Sequence, residues 1–168
     1  MPTLSITGNT RLTFALSDVQ LVGSVTNDVV VRATQTVENG TGAGQANAAW
    51  ASKVTLAAGS AYSLDLTSMP ASAFGYVGRV SLTNLRDIIV VNNTTTAGRY
   101  LLYGVISPQD VTGYAARIGR GGSYRWTDYQ DGITVTAGNK LIYIANPSNG
   151  TVVFDIAVAG VGSFLDNA

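Results

Sequence analysis

The stretch from Gly132 to Gly160 reads GITVTAGNKLIYIANPSNGTVVFDIAVAG, and it decides the fold class of this chain. Three runs of alternating apolar and polar residues are separated by the turn sequences at 137–139 and 146–150. Period-two alternation bounded by Gly, Pro and Asn is typical of β-strands. Because the runs follow one another at intervals of about ten residues, we expect them to form an antiparallel meander.

The same rhythm continues towards the N-terminus, and no window shows the 3.6-residue apolar period of a helix. After Gly42 and Gly44, the segment 47–51 is expected to be a loop. The connections at 41–49 and 107–123 fit Greek-key crossings. We therefore expect a jelly-roll-like antiparallel β-sandwich, a single domain over residues 11–168 preceded by a polar N-terminal arm over residues 1–10. The further predicted strands are 11–16, 29–37, 52–56, 62–66, 76–85, 87–91, 99–106 and 123–127.

The charge balance excludes several classes of function. The 168 residues include ten Lys and Arg against ten Asp and Glu, and charged residues make up 12% of the chain. A nucleic-acid-binding domain normally has a net basic field, so no nucleic-acid partner is expected. Apolar stretches are far shorter than the ~20 residues of a membrane helix, so no membrane partner is expected either. So low a charge predicts that part of the surface is covered in an assembly.

The N-terminus carries no basic run followed by an apolar core, so we expect no signal peptide and synthesis in the cytoplasm. The chain has no histidine and no cysteine, and Glu38 is its single glutamate. Without those residue types, most nucleophilic, acid–base and transition-metal chemistry is excluded, and we expect no enzyme activity, no metal and no cofactor. Asp128 and Asp131 allow a carboxylate pair or a calcium site, but Asp131-Gly132 favours an ordinary turn. An enzyme that works through aspartates alone is the remaining catalytic alternative.

The segment 117–126, RIGRGGSYRW, combines three arginines, three glycines and two aromatic residues. Arginine and tryptophan are enriched at the energetic centres of interfaces. We predict that Arg117, Arg120, Arg125 and Trp126 contact a partner, with Trp50 as the next candidate. The alternative is a loop that leads into the strand 123–127, with both tryptophans packed against the core.

Four segments resemble the small virion proteins of tailed bacteriophages, the decoration or cement proteins that cap assembled heads. These segments are DLT at 65–67, NLRDIIVVNN at 84–93, GITVTAGNKL at 132–141 and VVFDIAVAG at 152–160. The resemblance covers residues 60–162, and residues 1–58 match no family pattern. It implies a jelly-roll-like sandwich that assembles as a homotrimer on the capsid exterior and binds the major capsid protein. It implies no active site.

A module that binds glycans or a receptor, such as the tip of a tail fibre, is the alternative function. Eight tyrosines and two tryptophans provide rings on which sugars could stack. A β-sandwich by itself does not separate the two functions, because the same architecture hosts many.

Overall fold

The computed structural model describes residues 6–20, 23–73, 76–104 and 114–166. Within those ranges the chain forms strands and no helix, which confirms the all-β prediction. The strands are β1 (Ile6–Gln20), β2 (Gly23–Asn39), β3 (Gln45–Ala46), β4 (Ala48–Leu56), β5 (Ala61–Asp65), β6 (Met69–Ala73), β7 (Tyr76–Asn92), β8 (Tyr100–Gly104), β9 (Tyr114–Gly119), β10 (Ser123–Thr127), β11 (Ile133–Thr134), β12 (Leu141–Ala145) and β13 (Val152–Asp166).

Two antiparallel sheets pack as a sandwich. One has the order β10-β7-β13-β4, with β6 and β11 also paired to β7, and the other has the order β5-β12-β8-β9. If the short strands β6 and β11 are set aside, the pairing is nested: β4 pairs with β13, β5 with β12, β7 with β10 and β8 with β9. Eight strands nested in this way have the connectivity that a jelly roll requires.

The predicted C-terminal meander is wrong, because its three strands do not pair with one another. β11 pairs with β7, β12 pairs with β5 and β8, and β13 pairs with β4 and β7. The chain therefore crosses from one sheet to the other on each side of β12. Alternation shows that each strand has one apolar face to bury, but it does not say which neighbour completes the ladder.

A single long strand, β7, replaces the two runs predicted at 76–85 and 87–91. Its register with β13 shifts twice, so that Arg86 and Thr83 are extra residues at β-bulges. In a regular strand, every second side chain points to the same face, and each bulge lengthens that spacing from two residues to three. Leu82, Leu85 and Ile88 are therefore all buried, although they are three residues apart. The bulges explain why the period-two pattern appeared to break inside this strand.

The core lies between the two sheets and is built from alternate residues of each strand. In β13, Val152, Phe154, Ile156 and Val158 are buried, and the residues between them face outward and are half-buried. The Phe154 ring meets Tyr62 of the opposite sheet edge-on, with ring centroids 5.9 Å apart. The other large buried side chains are Leu64, Leu66, Met69, Leu82, Leu85, Ile88, Val90, Leu101, Tyr103, Ile118, Ile142 and Ile144.

Two predicted loops contain strands. Residues 48–51 of the loop predicted at 47–51 belong to β4, because the turn at Gly44 (φ +75°) ends before them and Ala48 pairs with Gly160. The connection predicted at 107–123 contains β9, which pairs with β8; residues 105–113 lie outside the described ranges. Propensity alone did not reveal β9, whose sequence YAARIG alternates weakly.

The N-terminal strands β1 and β2 form a separate antiparallel ribbon. Every residue of β1 is paired, from Ile6 opposite Val37 to Gln20 opposite Gly23. β1 begins at Ile6, inside the segment predicted as an arm over residues 1–10, and residues 1–5 lie outside the described ranges. The run 11–16 of this strand was predicted from its alternation, whereas the polar Thr, Asn and Gly residues at 7–10 gave no strand pattern.

Two glycines let β13 follow the bulges of β7. A Cβ atom at Gly160 would lie 2.0 Å from the carbonyl oxygen of Asn84, and one at Gly162 would lie 2.2 Å from the carbonyl oxygen of Ser81. Both obstacles are backbone atoms in the centre of a ladder, so neither can move aside without breaking the pairing.

We predict that Gly160→Val lowers the free energy of unfolding by about 2–4 kcal/mol, because the side chain must push β7 away from β13. Urea denaturation followed by tryptophan fluorescence measures the change. Gly119→Val is the matched control, since a Cβ atom there meets nothing within 4 Å. Equal destabilisation by both variants would contradict the steric account.

Candidate interaction surface

Four connections meet at one end of the sandwich, at residues 57–60, 93–99, 120–122 and 146–151. Backbone hydrogen bonds fasten them to one another and to the strand ends. The Gly59 amide donates to the carbonyl of Asn146 at 2.9 Å, and the Asn146 amide donates to Ser60 at 2.9 Å. The Gly121 amide donates to the carbonyl of Asn92 at 2.9 Å. This end of the molecule is therefore a connected surface.

The side chain of Asn146 holds two of these connections and is fully buried. Its Nδ2 donates to the carbonyls of Leu56 (3.0 Å), Ala57 (2.9 Å) and Gly150 (2.9 Å). Its Oδ1 accepts hydrogen bonds from the amide and the hydroxyl group of Ser148. Asn-Pro sequences usually start turns, and here the asparagine also replaces the missing backbone partners of two loops.

Asn92 performs the same task at the end of β7. It is fully buried, its Nδ2 donates to the Ile118 carbonyl at 3.2 Å, and its Oδ1 accepts from the Thr94 amide at 3.1 Å. Because Ile118 belongs to the opposite sheet, this amide links the two sheets at the end where the connections meet.

Three arginines lie on this end, which we call the arginine end: Arg99, Arg117 and Arg120. Arg120 is exposed, and its Nη1 donates to the Thr95 carbonyl at 3.0 Å. Arg117 is exposed, and its guanidinium carbon lies 4.0 Å from the centre of the Tyr100 ring. Arg99 is half-buried, and its Nη1 donates to the Oδ1 atom of Asn149.

The arginine end has no negative charge of its own. The four connections contain no Asp or Glu, and the ion pairs of the described residues involve none of these three arginines. Among the described residues, each guanidinium contacts a neutral carbonyl, amide or ring, and these contacts use only part of its five N–H donors. Such a fork is suited to a carboxylate or phosphate group of a partner.

Arg125 is engaged inside the molecule, unlike Arg117 and Arg120. It forms a bidentate pair with Asp87, with Nε to Oδ1 at 3.0 Å and Nη2 to Oδ2 at 2.7 Å. The buried Tyr129 hydroxyl donates to the same Oδ2 atom. The bond to Asp87 raises the pKa of Arg125, while burial and the Asp87 carboxylate raise the pKa of Tyr129 to about 12. We leave Arg125 out of the arginine end.

The two tryptophans lie on one row across the larger sheet. The register places Trp126 opposite Ile88, Ile88 opposite Val158, and Val158 opposite Trp50. Both rings are half-buried and pack against the core from the two edge strands, and Trp50 Nε1 donates to the Pro70 carbonyl at 2.7 Å. Tryptophans in such positions close the edges of the core, which agrees with the alternative reading of both residues.

The Asp128 and Asp131 segment is a turn. Asp128 Oδ1 accepts hydrogen bonds from the amides of Gln130 (3.1 Å) and Asp131 (3.2 Å), and Gly132 follows with φ +67°. A carboxylate that caps its own loop in this way makes an Asx turn. Among the described residues, no group of three acidic side chains is close enough to hold a metal ion.

The outward face of the larger sheet carries a shallow apolar depression. Its floor is formed by Ala51, Ile89 and Ala157, and its rim carries Lys53 and Asp155, whose charged atoms are 4.0 Å apart. Most of its lining is aliphatic, so the depression offers apolar contact and few polar groups.

Sequence reasoning missed Arg99, Tyr100 and Asn146. The first two were assigned to the start of the strand 99–106, and only the fold brings Tyr100 beside Arg117 and Arg99 beside Asn149. Asn146 was read as one member of a turn, and its burial could not be predicted from Asn-Pro alone.

Comparisons with known proteins provide no relative for this chain: no family, no curated protein and no solved structure matches it. In the described part of the chain, no helix is long and apolar enough to span a membrane.

We predict that Asn146→Ala lowers the free energy of unfolding by about 2–4 kcal/mol, because it leaves buried carbonyls of two loops without donors. Thermal unfolding monitored by circular dichroism measures the loss. Asn149→Ala, in the same connection but exposed, is the control and should change the stability by less than about 0.5 kcal/mol. A similar effect of both substitutions would refute the role given to Asn146.

Alkaline pH should destabilise the protein through its buried tyrosines. In the folded state the pKa of Tyr129 is about 12, whereas an unfolded tyrosine ionises near pH 10. The folded state therefore keeps its proton longer, and stability falls as the pH rises from about 10 to 12. Urea midpoints between pH 8 and 11.5 measure this fall.

Tyr129→Phe should lose the bond to Asp87, at a cost of about 1–3 kcal/mol at neutral pH, and should make the alkaline fall less steep. A residual fall is expected from Tyr103, whose pKa is also raised by burial. The exposed Tyr143→Phe variant is the control and should behave like the wild type. An unchanged slope in Tyr129→Phe would disprove the assignment.

Proposed function

We propose that this chain is a structural virion protein of a tailed bacteriophage that binds the outer capsid surface and stabilises it. The observation that carries the proposal is the arginine end, a preorganised surface whose three guanidiniums take part in none of the ion pairs of the described residues. The resemblance of residues 60–162 to decoration proteins suggests the class, and the nested strand pairing is what the jelly-roll-like fold of that class requires.

The preorganisation of this end suits a protein that must bind without rearranging. Its loops are fixed by the buried amides of Asn92 and Asn146, so little conformational entropy is lost when a partner docks. Arg120 and Arg117 would meet carboxylates of the major capsid protein, and the low overall charge would limit repulsion between neighbouring copies. Assembly as a homotrimer on a capsid symmetry axis is part of the proposal and follows from the resemblance.

A glycan-binding module is the second candidate, and Tyr143 favours it. Tyr143 is 40% exposed in the middle of β12, on the outward face of the smaller sheet, and the pair of Tyr100 and Arg117 borders the same face. Exposed aromatic rings on a sheet face provide stacking surfaces for sugars. Binding on a glycan array that Tyr143→Ala abolishes, together with unchanged capsids, would favour this candidate.

Arg120→Glu should weaken binding to the capsid by roughly tenfold or more, because the new carboxylate faces the acidic groups that the arginine would bind. Sedimentation of purified protein with heads that lack it measures the affinity. Arg79→Glu is the matched control, since Arg79 is exposed near the opposite end of β7.

The proposal fails if the protein does not bind such heads and if heads without it resist heat and chaotropes as well as complete heads do. Equal effects of Arg120→Glu and Arg79→Glu would place the contact elsewhere on the protein.

A further inference from the structure

Asn149 and Gly150 form one of the two Asn-Gly pairs in the sequence, and the other pair is Asn39 and Gly40. In such a pair the backbone nitrogen of the glycine can reach the side-chain amide carbon of the asparagine, because glycine has no Cβ atom to hinder the approach. Asn149 is exposed in the connection 146–151, and Gly150 is half-buried. Whether the two groups react depends on the contacts that the fold gives them.

The Gly150 nitrogen is not engaged in a hydrogen bond among the described residues, whereas the carbonyl group of the same residue is held firmly. That carbonyl accepts hydrogen bonds from Asn146 Nδ2 at 2.9 Å and from the Ser148 hydroxyl group at 3.3 Å. The backbone is therefore fixed on one side of Gly150, and its nitrogen on the other side is available as a nucleophile.

Arg99 contacts both members of the pair. Its Nη1 atom donates a hydrogen bond to the Oδ1 atom of Asn149. A Cβ atom at Gly150 would collide with the same guanidinium, so the arginine lies directly against the glycine backbone. A cation bonded to a carbonyl oxygen stabilises the negative charge that develops there when a nucleophile attacks the carbon. The Asn149 amide is thus activated beside an unengaged nitrogen.

We propose that Asn149 is a site of spontaneous deamidation through a succinimide ring. The Gly150 nitrogen loses its proton to hydroxide and bonds to Cγ of Asn149, and the negative charge builds up on Oδ1 beside Arg99. The bond from Cγ to Nδ2 then breaks, and the Nδ2 group leaves as ammonia after it takes a proton from water. Addition of water at Cγ opens the ring to aspartate, and addition at the backbone carbonyl carbon opens it to isoaspartate.

The other Asn-Gly pair is protected by its surroundings. Asn39 is the last residue of β2 and pairs with Ala46 of β3, and the Gly40 amide donates to the Ala46 carbonyl at 3.3 Å. The side chain of Gln45 covers Gly40, because a Cβ atom at Gly40 would collide with its amide group. The nucleophile of this pair is therefore engaged, and the chain provides its own matched comparison.

The aspartate product places a carboxylate where Arg99 already binds an amide oxygen. Each conversion lowers the formal net charge, which is zero for the unmodified chain, by one. The neutral hydrogen-bond acceptor of Arg99 becomes a charged one, and a bond between two charged groups is stronger. The reaction needs only this chain and water, so it is independent of the capsid proposal.

Peptide mapping by mass spectrometry tests the site in the natural sequence. Folded protein and protein unfolded in guanidinium chloride are incubated at mildly alkaline pH, and aspartate and isoaspartate are followed at positions 149 and 39. In the unfolded chain the two pairs should convert at similar rates. In the folded protein Asn149 should convert at least as fast as in the unfolded chain. Asn39 should convert at least about tenfold more slowly than Asn149, because its pairing must first open.

Arg99→Gln tests the part played by the guanidinium. This substitution should slow the conversion of Asn149 in the folded protein by about tenfold, since one charge-assisted hydrogen bond to the developing oxyanion is lost. It should leave the rate in the unfolded chain unchanged. Arg79→Gln is the matched control, because it removes the same charge from an exposed position on β7. Circular dichroism checks that both variants are folded.

The proposal is overturned if folding slows the conversion of Asn149 as strongly as that of Asn39, or if Arg99→Gln and Arg79→Gln convert Asn149 at the same rate. The first comparison needs no substitution, so it holds even if Arg99 is required for folding. Neither result bears on capsid binding, which Arg120→Glu tests.

Discussion

The pairing of β7 with β13 is the constraint on which the sandwich depends. β13 joins β4 to β7, and the free edge of β7 carries β6, β11 and β10 one after another. The two bulges let this long strand bend while Leu82, Leu85 and Ile88 stay in the core. The bulges bring the backbones so close that only glycine fits at 160 and 162. The larger sheet therefore rests on a few backbone contacts that side chains cannot replace.

The bulge at Arg86 also helps to determine which arginines are bound within the fold. It turns Arg86 towards the carbonyls of Gly42 and Gln45, which fixes the loop before β4, and places Asp87 within reach of Arg125. Those two arginines are buried or paired and hold the fold together. Arg99, Arg117 and Arg120, at the end where the connections meet, keep donors for another molecule. In a chain with so few charges, three unbalanced guanidiniums at one end dominate the local field.

Several acidic side chains of the described residues are engaged within the fold. The side chains of Asp65 and Asp87 are bound to cations of their own fold, and Asp155 accepts a bond from Asn93. None of the ion pairs of the described residues involves Arg99, Arg117 or Arg120.

The sequence by itself determined the all-β class, most strand positions and the absence of His and Cys chemistry, because alternation and composition are local properties. It also singled out Arg120, which stands between two glycines in a turn, and Arg117 in the strand before that turn. Only the tertiary structure decided that β11, β12 and β13 belong to different ladders, that β7 is one bulged strand, and that Arg125 and both tryptophans are used within the fold. Strand partners, bulges and burial depend on contacts between residues that are far apart in the chain. Local sequence patterns do not identify those contacts.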